Sequence, residues 1–239
     1  MKYVIGIIQA RVGSNRLPRK ILLPLNGRPA IYHIMSRVMA CNDLRNVYLA
    51  TSKQQENDIL AEMANEYGWN LYRGSENDVL SRFVDIVKKE NPDIVVRINA
   101  DNFAIDPHVI SHGINEVMEK QLDVCSSFIS NTYPFGAGAE VSTTECILRI
   151  NRETKGKNNK YREHVFSYAY EHPEKYRVGF LKAPNGLCRP DINVSVDTEE
   201  DYHDMCRLYK NFKGRESSFI LKDVIEKWDA IDSKQGKNN

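Results

Sequence analysis

No acidic residue precedes Asp43, although Lys2, Arg11, Arg16, Arg19, Lys20, Arg28 and Arg37 all do. The whole chain carries 33 Lys and Arg against 32 Asp and Glu, so its net charge of +1 argues against a general affinity for nucleic acid or membrane surfaces. The basic block is therefore a local feature, either a solvated face or an anion site. Cysteine is sparse: Cys41, Cys125, Cys146, Cys188 and Cys206 are scattered, odd in number and never spaced Cys-x-x-Cys. That spacing argues against zinc and against a disulfide framework, and for a reducing, cytoplasmic compartment. No apolar run reaches the length of a bilayer. The N-terminus has one lysine and a short apolar run without a cleavage pattern, which reads as a core strand rather than a signal peptide. Internal repeats are missing, and so are the Gly-Lys-Ser/Thr ending of a P-loop and the Gly-x-Gly-x-x-Gly of a dinucleotide fold.

At 239 residues, with 41% hydrophobic and 27% charged side chains, the chain has enough apolar material for one full α/β core. Apolar runs at Tyr3–Ile8, Val47–Thr51, Trp69–Tyr72 and Asp93–Ile98 read as strands. Helical spacing separates them, from Pro29 to Cys41, Gln54 to Tyr67 and Asn77 to Glu90, with another helix from Pro107 to Lys120. Short connections between them predict a mainly parallel, doubly wound sheet with helices on both faces. Beyond residue 122 the pattern loosens into a mixed extension. Strands are expected at Val124–Phe128, Glu140–Ser142, Arg177–Leu181 and Asn193–Val196. Helices are expected at Thr144–Arg152, Arg162–Tyr170, Glu199–Tyr209 and Ser218–Trp228. The polar segment from Thr154 to Asn159 reads as a mobile loop, and residues 231–239 as a disordered tail.

The most informative stretch is Ile8-Gln9-Ala10-Arg11-Val12-Gly13-Ser14-Asn15-Arg16-Leu17-Pro18-Arg19-Lys20. It leaves the carboxyl end of the first strand, where open α/β sheets bind ligands. Backbone N–H groups around Gly13 and Ser14 suit an anion, and the guanidinium and ammonium groups of Arg11, Arg16 and Lys20 suit a triphosphate. Asp101 follows the 93–98 strand, and Asp197 lies between a strand and a helix. Two such carboxylates meet the needs of a Mg²⁺ site if the fold brings them together. Each also has a local reading, as an Asx-turn or a helix cap. Arg73, in Arg73-Gly74-Ser75-Glu76-Asn77-Asp78, stands at a strand end and suits a base or ribose, whereas Ser75 with Asp78 also matches a helix start. In Tyr161-Arg162-Glu163-His164, Arg162 and His164 suit an anionic second substrate better than His164 suits general-base catalysis.

With these residues assembled, the chain resembles the cytidylyltransferases that include CMP-3-deoxy-manno-octulosonate and CMP-sialate synthetases, closest to the spore coat polysaccharide biosynthesis protein F branch. The basic loop carries the most specific part of the likeness. Arg73–Leu80, Arg162-Glu163-His164-Val165 and Val196–Asp201 match in order and spacing. The resemblance implies a nucleotide-diphospho-sugar transferase fold spanning residues 1–230 as a single domain, with a nucleotide half (1–122) and an acceptor-binding and dimerisation half (123–230). It implies that Arg11, Ser14, Arg16 and Lys20 hold CTP phosphates, assisted by Gly13 and Asn15. The Ala10 backbone would help read cytosine, Arg73, Ser75 and Asn99 would lie near the nucleoside, and Asp101 and Asp197 would hold Mg²⁺. Glu140, Arg162 and His164 would face the acceptor. The branch has Gly-Asp-Cys-Pro where this chain has Ala100-Asp101-Asn102-Phe103, and two of its carboxylates are replaced by Phe135 and Gly138.

The reading is a Mg²⁺-dependent cytidylyltransferase, cytoplasmic and homodimeric, that moves CMP from CTP to a small acidic sugar or polyol phosphate for surface polysaccharide and releases pyrophosphate. Arg11, Arg16 and Lys20 would supply catalytic charge. Two alternatives stay open: another NTP, or an inactive nucleotide-binding homologue.

Overall fold

Alternation along the central strands sorts their side chains between two cores. In β1 (Val4–Gln9), Val4 and Ile8 face one core while Ile5 and Ile7 face the other. β4 (Asn46–Ser52) divides Val47 and Leu49 from Tyr48 and Ala50 in the same way. β6 (Ile94–Asn99) divides Ile94, Val96 and Ile98 from Val95. The computed structural model describes residues 2–14, 16–156 and 160–235. The first core is covered by α1 (Ala30–Met39), α2 (Asp58–Tyr67), α4 (Pro107–Glu119), α8 (Glu199–Lys210) and α9 (Leu221–Gln235). The second lies under α3 (Val79–Glu90), α5 (Thr144–Glu153) and α7 (Ser167–Glu171). Strands buried on both faces read as continuous apolar runs, which is how the sequence presents them.

β5 (Asn70–Gly74), β7 (Val124–Ser126), β8 (Glu140–Thr143) and β9 (Val178–Phe180) complete a seven-stranded sheet of order β5-β4-β1-β6-β8-β7-β9. Only β8 runs antiparallel to its neighbours. The sheet takes strands from both sides of residue 122, so the two halves share one core. From β1 the chain winds outward to β4 and β5, then crosses back to place β6 on the other side of β1. The loops after β1 and β6 therefore diverge, opening a crevice at the strands' carboxyl ends. A small hairpin, β2 (Pro24–Leu25) with β3 (Arg28–Pro29), turns through Asn26 at φ 46° and Gly27 at φ 83°, the left-handed pair that a two-residue hairpin requires. No helix among the described residues is long and apolar enough to cross a membrane.

Local chemistry sets the helix ends. Gly68, at φ 68°, closes α2. The Asp78 carboxylate accepts the Ser81 N–H at the start of α3. Thr198 and Asp201 form a reciprocal capping box on α8.

Four expectations change. The helix expected over 162–170 is split into α6 (Lys160–Glu163) and α7, because Val165 and Phe166 both turn into the core and Ser167 bonds back to the His164 carbonyl. Residues 193–196 form two isolated bridges, Asn193 with Phe135 and Ser195 with Asn102, instead of a strand. The last helix continues to Gln235, five residues into the expected tail, and residues 236–239 lie outside the described residues. In the loop expected over 154–159, Thr154 is fully buried and bonded to the Ile150 carbonyl, while residues 157–159 lie outside the described residues.

Gly136 makes the junction between Phe135 and residues 192–194 possible. Its φ is 91°, and a Cβ there would run into the Ser195 backbone nitrogen. Gly136→Ala is expected to cost about 2–4 kcal/mol, read as a lower urea midpoint at unchanged m. Gly27→Ala, at φ 83° but with open space around it, is the comparison and should cost only about 1 kcal/mol.

Candidate active site

The basic loop crosses the crevice under restraint. Ala10 N–H continues the sheet by donating to the Ala50 carbonyl at 3.1 Å. The buried side chain of Asn57 accepts the Val12 N–H at 2.8 Å and donates to Ser52 Oγ at 2.8 Å. Gly13 faces Glu56, whose carboxylate would stand 2.8 Å from any Cβ at that position. A cleft of about 750 Å³ opens above the loop, of a size that suits a nucleotide with part of a second substrate. Ala10, Arg11, Gly13, Ser14, Arg16, Lys20, Asn99, Asp101, His164 and Asp197 all line it. Asn15 lies outside the described residues.

Lys20 is the centre of this wall. Its Nζ donates to Asp197 Oδ1 at 2.9 Å, Asp101 Oδ2 at 3.2 Å and the Val196 carbonyl at 2.8 Å. Arg16 adds a second cation to Asp197 Oδ1 at 2.8 Å. Two carboxylates far apart in sequence thus meet at one point. The chain holds them there through backbone pairing: Val196 N–H donates to the Asp101 carbonyl at 3.2 Å, and Asn102 bridges Ser195. Because Thr198 caps α8, the Asp197 carboxylate is released from that duty and turns to the cations.

The donor set fits a Mg²⁺ ion. Two hard oxygen ligands already stabilise a positive group at their meeting point, with the Lys20 ammonium as the stand-in. No group of three or more His, Cys, Asp or Glu among the described residues could hold a metal. Water and substrate phosphates would therefore complete the shell, as Mg²⁺ sites commonly require.

Sequence reasoning missed other residues of the lining. Glu76 comes from the connection between β5 and α3, Val79 and Arg82 from the first turn of α3, and Gln9 and Arg97 from β1 and β6. Arg82 is almost fully buried and donates to the Ala50 and Glu76 carbonyls at 3.2 and 3.4 Å. Burial pulls its pKa below the ordinary guanidinium value, and the Glu76 charge opposes that shift. The available signal was an arginine inside an apolar pattern, Arg82 between Val79 and Phe83 and Arg97 within a buried strand.

Four expected site residues stand outside the cleft lining, each occupied elsewhere. Arg73 donates to the Ser52 and Gln54 carbonyls and pairs with Asp58 at 2.7 Å. Ser75 Oγ accepts the Asp78 N–H at 3.1 Å at the helix start. Arg162 grips both oxygens of Asp78 at 2.8–3.0 Å, fixing α6 against α3. Glu140 sits directly opposite Arg97 across β8 and β6, pairs with it, and accepts the Tyr170 hydroxyl at 2.7 Å. Burial, with the Glu140 charge, raises the Tyr170 pKa well above its ordinary value, so this hydroxyl keeps its proton.

Residues 5–226 match the family model described as Cytidylyltransferase. The chain is 34% identical over 214 residues to the spore coat polysaccharide biosynthesis protein SpsF of Bacillus subtilis, covering 88% of each. It is 30% identical over 123 residues to the 8-amino-3,8-dideoxy-manno-octulosonate cytidylyltransferase of a Shewanella species, about half of each chain (49% and 48%). Among solved structures, a cytidylyltransferase from Leptospira borgpetersenii superposes with a TM-score of 0.89 at 28% identity, covering 98% of this chain and 96% of that one. A CMP:2-keto-3-deoxy-manno-octonic acid synthetase solved with CTP shares the fold at a TM-score of 0.66 and 15% identity, over 87% of this chain and 99% of that one. A basic loop and two carboxylates far apart in sequence converge at the switch point of a fold these enzymes share, and the family model spans nearly the whole chain: this protein belongs to the cytidylyltransferase family, enzymes that transfer a nucleotidyl group.

Proposed function

We propose that the protein transfers CMP from CTP, with Mg²⁺, to an oxygen of a small anionic sugar or polyol phosphate destined for surface polysaccharide, and releases pyrophosphate. The observation that carries the reading is the convergence of Arg16 and Lys20 with Asp101 and Asp197 in one crevice. SpsF is named for polysaccharide biosynthesis, and the Shewanella relative is named for a cytidylyl transfer to an octulosonate sugar. Five free cysteines agree with a reducing, cytoplasmic setting. The homodimer that the resemblance implies belongs to the same reading.

In this reading an acceptor oxygen attacks the α-phosphorus in line, and the bond to the β-phosphate breaks. The protein's work is alignment and charge neutralisation. Ser14 and the backbone around Gly13 wrap phosphate oxygens. Arg11, Arg16 and Lys20 turn toward the triphosphate and offset the charge that grows on the leaving pyrophosphate. Asp101 and Asp197 would hold Mg²⁺, which when bound supplies positive charge to the phosphates. Glu163 and His164 face the cleft from α6 and the turn beyond it, where an acceptor would enter. Arg162, on the same helix as Glu163, ties that segment to the start of α3 through its bond to Asp78.

The test is pyrophosphate release with Mg²⁺ and each of CTP, UTP, ATP and GTP against acidic sugars and polyol phosphates. Release only with CTP, and with one acceptor, is expected; turnover with a different NTP overturns the base assignment. Lys20→Met should lower kcat/KM by about 10²- to 10³-fold. Asp101→Asn and Asp197→Asn should each raise the Mg²⁺ concentration for half-maximal rate by about tenfold or more. A rate that saturates at the wild-type Mg²⁺ concentration in both variants would remove these carboxylates from the metal site.

A further inference from the structure

Arg11, Arg16 and Lys20 each reach a carboxylate from another part of the chain: Arg11 pairs with Glu76 at 3.4 Å, Arg16 with Asp197 at 2.8 Å, and Lys20 with Asp101 and Asp197 at 3.2 and 2.9 Å. Lys20 differs in depth. Its side chain is 13% exposed, against 54% for Arg11 and 69% for Arg16. Water and salt screen an exposed pair heavily and an enclosed one far less. The backbone beneath Lys20 is fixed. Its N–H donates to the Leu17 carbonyl at 3.2 Å, the Leu23 N–H donates to the Lys20 carbonyl at 3.2 Å, and Ile21 beside it is buried. The flexible four-carbon stem is what can redirect the ammonium. All three of its acceptors are oxygens, and two belong to the carboxylates that the reading above gives to Mg²⁺.

We propose that Lys20 makes binding of the divalent cation depend on the nucleotide: its ammonium holds Asp101 and Asp197 against a metal until a triphosphate draws it off. The inference rests on the reading that these two carboxylates hold Mg²⁺, and adds the order in which the site is filled. Mg²⁺ approaches its oxygen ligands to about 2.1 Å, well inside the 2.9–3.2 Å at which Nζ stands from the same two carboxylates. An ion bound there would press against the ammonium, and the two positive charges would repel. One cation or the other occupies the meeting point. A triphosphate offers Lys20 anionic oxygens in exchange, and both carboxylates are then released together. By linkage, whatever draws Lys20 away strengthens metal binding, and a bound metal strengthens capture of Lys20 by the triphosphate by the same factor. Arg16 contributes little to this exclusion, because it pairs with Asp197 alone and from an exposed position. The metal is therefore taken up with the nucleotide or after it.

Mn²⁺ is the probe, since the paramagnetic resonance signal of the free ion fades as it binds. Its Kd is measured without nucleotide on the wild-type protein, Lys20→Met, Lys20→Gln and Lys20→Arg. Methionine and glutamine remove the charge, and the glutamine amide still donates to the carboxylates should methionine unfold the loop. Arginine keeps the charge. The expected result is a Kd lower by about tenfold or more in both neutral variants, with Lys20→Arg within about threefold of the wild type. Adding Asp101→Asn to Lys20→Gln should cancel the gain. A gain in Lys20→Arg as large as in the neutral variants overturns the inference, because room rather than charge would then govern. So does a gain that survives Asp101→Asn, since the ion would be binding elsewhere. No gain in either neutral variant also overturns it. If Asp101→Asn and Asp197→Asn then still shift the Mg²⁺ dependence of the rate, the metal reading stands without this inference; if they do not, both fall.

Discussion

The ammonium of Lys20 is the point on which the site depends. It has three donors, and all three are used, on Asp101, Asp197 and the carbonyl of Val196. These partners lie 81, 177 and 176 residues away in sequence. One side chain therefore joins the loop after β1, the loop after β6 and the approach to α8. Two carboxylates brought this close would repel one another without a cation between them, and a cation this enclosed would be unfavourable without them. The same mutual need makes the meeting point suitable for a metal. A position that holds a positive group among hard oxygens needs only an exchange of one cation for another.

The cleft is a set of paired charges rather than a cationic funnel. Arg11, Arg16, Lys20, Arg82 and Arg97 line it, and so do Glu56, Glu76, Asp101, Glu163 and Asp197. The acid-free first 42 residues look unbalanced only along the chain, because the balancing carboxylates arrive later and fold over the loop. A polyphosphate entering the cleft would exchange partners with carboxylates already in place. The cations are thus already fixed by carboxylates of the folded chain.

Much of the fold over residues 1–122 was legible in the sequence, for physical reasons. Parallel strands buried on both faces are unbroken apolar runs, and Pro29, Gly68, Asp78 and Pro107 punctuate the helices between them. The second half was harder. β7 and β9 are three residues each, and residues 193–196 are ordered by bonds to two different loops, which no local pattern encodes. The Asn26-Gly27 hairpin was a readable signal that went unread. Arg11 and Asp101 follow central strands, so topology aims them at the crevice, and Lys20 was found in the same basic loop as Arg11. Arg73, Arg162 and Glu140 have the right chemistry for a site, but their partners Asp58, Asp78 and Arg97 lie on other elements. Glu76 and Arg82 were hidden for the opposite reason: a helix start and an amphipathic pattern accounted for them locally.

The positions where this chain departs from its branch support one another, and that bears on whether the site is intact. Asn102, which follows Asp101, is buried and donates from Nδ2 to the Gly138 carbonyl at 2.9 Å. A Cβ at residue 138 would run into the Ser127 side chain, so with Ser127 in this rotamer the loop that receives this bond suits a glycine. Phe103 is fully buried, and its carbonyl accepts the hydroxyl of Tyr209, itself buried on α8. The altered turn is thus clamped on both sides, toward Gly138 and toward the helix that begins beyond Asp197. A decaying site would be expected to loosen there. Instead the replacements fix the Asp101 backbone that receives Val196 and brings the two carboxylates to Lys20. The changes therefore act on how the turn is anchored. Asp101 and Asp197 stay joined through Lys20, with Arg16 on Asp197.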